Sequence, residues 1–332
     1  MKLLRRLGCL VLLLAIGAGF AAYRLFSPYQ GFQNETFVEF PRGTSSSDIA
    51  ARLTAVGVVR SRWDFLLARA AHPGRVLQAG EYRFNKADSP YDVFDRIARG
   101  DVFYYTLTVP EGQNMFDIAQ TAASLGLFTA DQFLAAARNP AAVRDMDAQA
   151  PSLEGYLFPN TYKLSRHTSP EALCRLMVSK FAEVWREIAP KETTGASVHN
   201  VVTLASLVER EARLKAERPL IAAVFTNRLR IGMKLDCDPT TIYAALLDHR
   251  YRGTIYRSDL ESESAYNTYR HAGLPPGPIA NPGIDSLRAA AAPAQSDALY
   301  FVAKPDHSGA HEFSNNLNSH NAATERYRRS QR

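Results

Sequence analysis

Cysteine is scarce in this 332-residue chain: there are three, an odd number, and no Cys-x-x-Cys spacing. That excludes a disulfide framework and leaves no thiolate zinc site to build on. No Gly-x-Ser-x-Gly elbow occurs, which removes the usual serine-hydrolase arrangement. Net charge is missing from the body of the chain as well. The formal charge is +6, but Lys2, Arg5 and Arg6 supply half of it, and the tail from Glu325 to Arg332, four arginines against one glutamate, supplies the rest. Residues 7–324 therefore sum to zero. A nucleic-acid binder would carry a basic face on that body, so nucleic acid is not an expected partner. What is there is ordinary: 46% hydrophobic, 22% charged and 10% aromatic residues. Such a composition excludes a disordered chain, a collagen-like rod and a multi-span membrane protein. The length suits two domains, or one large domain with an appendage.

The N-terminus reads as an address or an anchor. Met1–Arg6 is basic, and an uninterrupted apolar run from Leu7 to Tyr23 follows. With Leu25 and Phe26 included, and Arg24 snorkelling, the run approaches the roughly 20 residues of a spanning helix. Positive charge before the run places the N-terminus in the cytoplasm and the body outside. The expectation is a retained single-pass anchor over residues 1–30, with signal cleavage after Ala21 as the alternative. Cys9 lies within the apolar run. In an oxidising compartment Cys174 and Cys237 could pair, but two isolated cysteines in a core of this size read first as buried small hydrophobes.

An internal repeat with a 69-residue offset organises the first half. Phe40-Pro41-Arg42-Gly43 aligns with Val109-Pro110-Glu111-Gly112, and Asp48-Ile49-Ala50 with Asp117-Ile118-Ala119. Each copy predicts a strand (Thr36–Phe40, Thr106–Val109), a Pro-x-Gly turn, and a helix ending at a glycine suited to a left-handed cap. A second helix (Arg62–Ala71, Ala130–Arg138) and a strand-like coda, at 79–84 and 154–158, complete each unit. Two β-α-α-β units are thus expected, over 31–105 and 106–165, with a helix at Tyr91–Gly100 between them. The strand, Pro-x-Gly turn and Asp-Ile-Ala helix resemble the peptidoglycan-binding LysM module.

In the second half, Pro170–Ile188 and Val198–Glu217 read as helices. Val201, Leu204, Ala205, Val208 and Ala212 form one stripe of the latter at period 3.6. Glu209 and Glu211 sit on opposite flanks of that stripe. Each has a basic residue four positions on, Arg213 and Lys215, so spacing alone reads both as surface ion pairs. The helical wheel does not choose between them, since Val202 and Ala205 flank one, and Leu204 and Leu207 the other. His307, His311 and His320 lie among loop-forming residues and are not expected to bind metal. No cofactor is expected.

Thr203-Leu204-Ala205-Ser206-Leu207-Val208-Glu209-Arg210-Glu211-Ala212 resembles the signature of the endolytic murein transglycosylases, the YceG-like or MltG family. Leu153-Glu154-Gly155-Tyr156-Leu157-Phe158-Pro159-Asn160-Thr161-Tyr162, Asp238-Pro239-Thr240, Ala265-Tyr266-Asn267-Thr268-Tyr269 and Gly273-Leu274-Pro275-Pro276-Gly277 extend the resemblance, in order, over residues 37–327. Asn160, Cys237 and Asn281 depart from the usual residues of the family. The resemblance implies an α+β catalytic region over 106–332 with its catalytic helix at about 198–217, behind a transmembrane helix and a LysM-like unit. It implies a lyase that cuts the MurNAc-β-1,4-GlcNAc bond of nascent peptidoglycan and leaves 1,6-anhydro ends, limiting strand length beside peptidoglycan synthases at the inner membrane, with the body in the periplasm. By motif, Glu209 is the catalytic acid, with a pKa raised by a partly apolar pocket, while Asn267 and Tyr269 are sugar contacts. Asp238 reads as a turn cap, and Glu154 as either a cleft residue or a turn anchor. A non-catalytic peptidoglycan-binding scaffold and a water-using muramidase are the alternatives.

Overall fold

The structure is a computed structural model describing residues 2–192 and 197–331; Met1 and Arg332, the outermost residues of the two basic ends, lie outside it. The basic residues and the apolar run form one helix, α1 (Lys2–Phe26), and its Arg6–Phe26 stretch is long and apolar enough to cross a membrane. By contacts the chain divides between Tyr105 and Thr106.

In the first unit α1 is followed by β1 (Thr36–Phe40), α2 (Ser46–Ala55), α3 (Arg62–Ala71), β2 (Gly80–Phe84) and α4 (Pro90–Arg99). The strands pair antiparallel, Thr36 opposite Phe84 and Phe40 opposite Gly80. Val38, Phe40, Leu53, Phe65, Tyr82, Phe84 and Phe94 interleave as its core. Helix starts are fixed by side chains: Ser45 accepts the Asp48 N–H, and Ser89 forms a full capping box with Asp92. α4 ends on Gly100 in the left-handed region. The order of elements follows the repeat pattern, and its two glycines, Gly57 and Gly126, take φ +75 and +72 just past α2 and the corresponding helix of the second unit.

The second unit opens within β3 (Tyr105–Val109), at Thr106, and continues with α5 (Met115–Ala123), α6 (Ala130–Ala137) and β4 (Asn160–Leu164), with β3 paired to β4. One element of the repeat differs. The strand expected at 154–158 is a buried turn, and the strand starts at Asn160. The cause is local: Gly155 takes φ +86, and the side-chain oxygen of Asn281 accepts the N–H groups of Gly155 (2.8 Å) and Leu157 (2.9 Å), which leaves them no ladder to join. A Cβ at Gly155 would also stand 2.5 Å from Pro278.

Next come α7 (Pro170–Glu192), α8 (Val198–Glu211), α9 (Arg218–Arg230), α10 (Asp238–Leu247), α11 (Arg257–Leu260) and α12 (Ile284–Ala291), and then β5 (Tyr300–Ala303), β6 (His311–Ser314) and α13 (Leu317–Ser330). β5 and β6 are antiparallel. α8 packs against α9, α10 and α12 and is buried from Val201 to Val208.

Glu154 is buried at the centre of this unit. It accepts the Met115 N–H at 2.8 Å and the Asn281 side-chain N–H at 2.7 Å, so it anchors the turn and does not line a cleft. Burial pushes its carboxyl from 4.5 up to about 8, against the opposing pull of these hydrogen bonds. Between those values the folded chain keeps a proton that the unfolded chain has lost. Stability is therefore full below about pH 4.5 and falls as the pH rises toward 8. A melting-temperature profile over that window is expected to slope downward, and Glu154→Gln is expected to flatten it. A slope unchanged in the variant would assign the effect to other groups.

Candidate active site

The expected helix to Glu217 ends six residues early. Ala212 is extended, and Lys215–Glu217 is a single 3₁₀ turn before α9. Pro219 lies in the first turn of α9, the one place in a helix where its missing N–H and fixed φ cost little. This break decides the partners of both glutamates. Arg213 and Lys215 lie beyond the last helical residue, so the i,i+4 pairs do not form, and Lys215 pairs with Asp285 instead.

Glu209 points at Arg218. Its Oε1 accepts from the guanidinium at 2.8 Å and its Oε2 accepts the Gly283 N–H at 3.0 Å. The two side chains are 5% and 7% exposed. Glu111 at 3.5 Å and Asp285 at 3.8 Å complete the ring of carboxylates about Arg218. A Cβ at Gly283 would stand 2.0 Å from Glu111 Oε1 and would displace that side chain from the ring. The apolar pocket expected for Glu209 is therefore a buried ion-pair network at the head of the side chain.

Glu211, on the other flank of α8, opens into a cleft of about 460 Å³ whose walls include Asp236, Asp238, Tyr269, Tyr300 and His320. The Cys237 thiol donates to its Oε1 at 3.2 Å. Burial is the largest effect on this carboxyl and pushes its pKa up, while the Cys237 hydrogen bond pulls it down. Another opening of about 460 Å³, between α6 and α7, is walled largely by alanines. Its rim acid, Glu171, is held below its ordinary pKa by hydrogen bonds from a backbone N–H and Ser169, so it is no source of protons.

The aromatic–polar loop sorts into one cleft residue and one anchor. Tyr269 lines the cleft and donates its hydroxyl to Asp238 Oδ1 at 2.6 Å. Asp238 begins α10 while Cys237 holds the cap position, so the aspartate faces a tyrosine as well as starting a helix. Asn267 is fully buried. Its amide N–H groups go to the carbonyls of Asp259, Leu260 and Ser262 and its oxygen accepts the Tyr269 N–H. It holds the loop and has no surface left for a sugar. Next to it, the Thr268 hydroxyl accepts the Cys237 N–H at 3.0 Å, so the loop sets the thiol against Glu211. Asn267→Ala is expected to destabilise the fold by about 2 kcal/mol through the orphaned carbonyls, read as a lowered melting temperature. Wild-type stability in the variant would return Asn267 to the list of ligand contacts.

The profile of the YceG-like family matches residues 38–326. The chain belongs to that family. It is 34% identical over 309 residues to an endolytic murein transglycosylase of Bacillus subtilis strain 168, covering 87% of this chain and 84% of that protein. A Streptococcus pneumoniae D39 protein of the same name is 31% identical over 298 residues, 80% of this chain and 54% of the relative, so the chain spans about half that protein's length. The crystal structure of a YceG-like protein from Listeria monocytogenes superposes with a TM-score of 0.57 at 32% identity, over 87% of this chain and 99% of that one.

The histidines weighed as ligands have other uses. His311 pairs with Glu217 at 2.7 Å, and His320 stacks on Tyr300 with ring centroids 5.0 Å apart. No group of three His, Cys, Asp or Glu suited to a metal ion occurs among the described residues. Cys174 and Cys237 are buried and free, so the disulfide alternative is not realised. Three cleft residues carried no assigned role in the sequence: Tyr300 and Arg228, which lie in segments that resemble the family, and Cys237, which stood out as a departure from it.

Proposed function

We propose that this chain is an endolytic murein lytic transglycosylase, held to the inner membrane by α1 with its N-terminus cytoplasmic and its body periplasmic. The observation that carries the reading is a carboxyl on the signature helix, lifted in pKa by burial and opening into a polar, aromatic-edged cleft. In this reading Glu211, and not Glu209, is the acid. Both oxygens of Glu209 are taken, by a guanidinium and a backbone N–H, whereas Glu211 faces the cleft.

The reaction needs only one such group. Glu211 protonates the glycosidic oxygen as the C1–O bond breaks and the GlcNAc-side hydroxyl departs. The resulting carboxylate then takes the proton from the MurNAc 6-hydroxyl as that oxygen bonds to C1, and the 1,6-anhydro ring closes. Hydrolytic glycosidases need a second carboxyl to attack or to activate water; here the substrate brings its own nucleophile. Tyr269 supplies a sugar-stacking face beside the acid, and the LysM-like first unit lies along the glycan strand. The product limits strand length, which places the enzyme beside peptidoglycan synthases.

The test is mass spectrometry of muropeptides released from nascent strands. Anhydro ends, about 18 Da lighter than hydrolytic ends by one water, that vanish in Glu211→Gln establish the reading. Reducing ends would require a second carboxyl, with Asp238 and Asp236 lining the cleft, and no cleavage at all would leave a binding scaffold.

A further inference from the structure

α3 is apolar on two sides. Its inner stripe, Phe65 and Ala68, belongs to the core of the first unit. Its outer stripe, Trp63, Leu67 and Ala70 at i, i+4 and i+7, faces outward, with Trp63 65% and Leu67 38% exposed, and Leu66 at i+3 is half-buried between this stripe and the core. A helix in water needs only one such stripe. The outer stripe forms an open groove of about 680 Å³ with Phe20 and Ala21 of α1 as its other wall. The juxtaposition is tied by charge: Arg24 grips Asp64 with Nε–Oδ1 at 3.1 Å and Nη2–Oδ2 at 2.7 Å.

We propose that the outer face of α3 is a lipid-contacting surface, sunk into the headgroup–acyl boundary where α1 leaves the bilayer. The proposal rests on reading α1 as a membrane span, and its argument is one of length. The 21 residues from Arg6 to Phe26 rise about 32 Å as a helix, close to the roughly 30 Å of a hydrocarbon core. Phe20 and Ala21 then lie roughly 8–9 Å below the end of the span. α3, sharing a groove with them, is carried to the depth of about 5–10 Å at which interfacial helices bury their apolar face. Its residues suit that depth. Tryptophan favours the interface, and a guanidinium placed there is costly without a partner, which Asp64 provides. The segment 60–75 carries Arg60, Arg62, Arg69 and Arg75 against Asp64 alone; Arg75 is paired with Asp95, which leaves three arginines for the surface, and Arg62 lies over the Trp63 ring at 5.0 Å. Such a positive surplus matches anionic headgroups.

Trp63 and Trp185 are the two tryptophans of the chain, so the full-length Trp185→Phe protein makes Trp63 the sole reporter. It is reconstituted into phosphatidylcholine–phosphatidylglycerol vesicles with and without brominated acyl chains. Blue-shifted Trp63 emission that loses intensity in the brominated vesicles is the expected result, and Leu67→Glu in the same chain is expected to reduce that loss. A second chain, Phe20→Trp with Trp63→Phe and Trp185→Phe, reports on the anchor itself. Quenching at position 20 without quenching of Trp63 overturns the lipid surface and leaves the anchor, the outcome expected if a protein partner or water covers α3. Quenching at neither position overturns the anchor and the proposal with it.

Discussion

Glu211→Gln is expected to lower the rate of anhydro-end formation by about 10²–10⁴-fold, the share of a barrier that a positioned general acid removes. Glutamine keeps the shape of the side chain and its place beside Cys237, so substrate affinity should change far less than turnover. The pH profile of the native enzyme carries a second signature. With Glu211 as the proposed acid, which works only while protonated, activity should be lost as the pH rises through its pKa, which burial has raised. The Cys237 hydrogen bond favours the charged carboxylate and opposes that rise. Cys237→Ala removes the donor and should carry the alkaline limb to higher pH. Cys237→Ser installs a stronger donor and should carry it to lower pH. A limb that stays in place in both variants would separate Glu211 from the proton transfer.

Much of this arrangement was legible in the sequence, and the parts that were not share a cause. The first unit was readable because its signals are local: alternation in Thr36–Phe40, the Pro-x-Gly turn that follows it, and a glycine where a helix must stop. The second coda, at 154–158, misled because Glu-Gly-Tyr-Leu-Phe has the composition of a strand, while its N–H groups are claimed by Asn281, more than 120 residues away. The signature helix was legible as a helix and not in its length, since a stripe of period 3.6 continues through Ala212 even though the chain turns there. That one difference governs the site. A helix continued to Glu217 would offer each glutamate a basic partner four residues on; ending at Glu211, it hands Glu209 to Arg218 and leaves Glu211 facing the cleft. Asn267 sits in a loop rich in hydrogen-bonding groups, which is the composition of a sugar site and equally of a loop that must satisfy its own carbonyls. Only burial separates the two.

The other glutamate of the signature should announce itself in stability. Arg218 is 7% exposed, and its Nε and Nη1 have no hydrogen-bond partner among the described groups. Its close contact is Glu209 at 2.8 Å, against 3.5 Å to Glu111 and 3.8 Å to Asp285. Removing one member of a buried pair leaves a charge in a place that cannot hydrate it, at a cost of about 3–5 kcal/mol. With two weaker carboxylates still near, Glu209→Gln should fall at the low end, about 3 kcal/mol, which for a unit of roughly 200 residues lowers the melting temperature by about 6–12 °C. Removing both charges in Glu209→Gln with Arg218→Met should recover part of that loss, since the stranded guanidinium is then gone. Glu211→Gln should behave in the opposite sense. Burial already disfavours its charged form, so a neutral head costs the fold nothing and raises stability slightly, a common trade at active sites. Melting curves and cleavage assays on the two single variants therefore cross: one loses stability first, the other loses chemistry first. A Glu209→Gln protein that melts like wild type and no longer cuts would move the acid back to Glu209, and the buried network around Arg218 would become its proton-tuning shell.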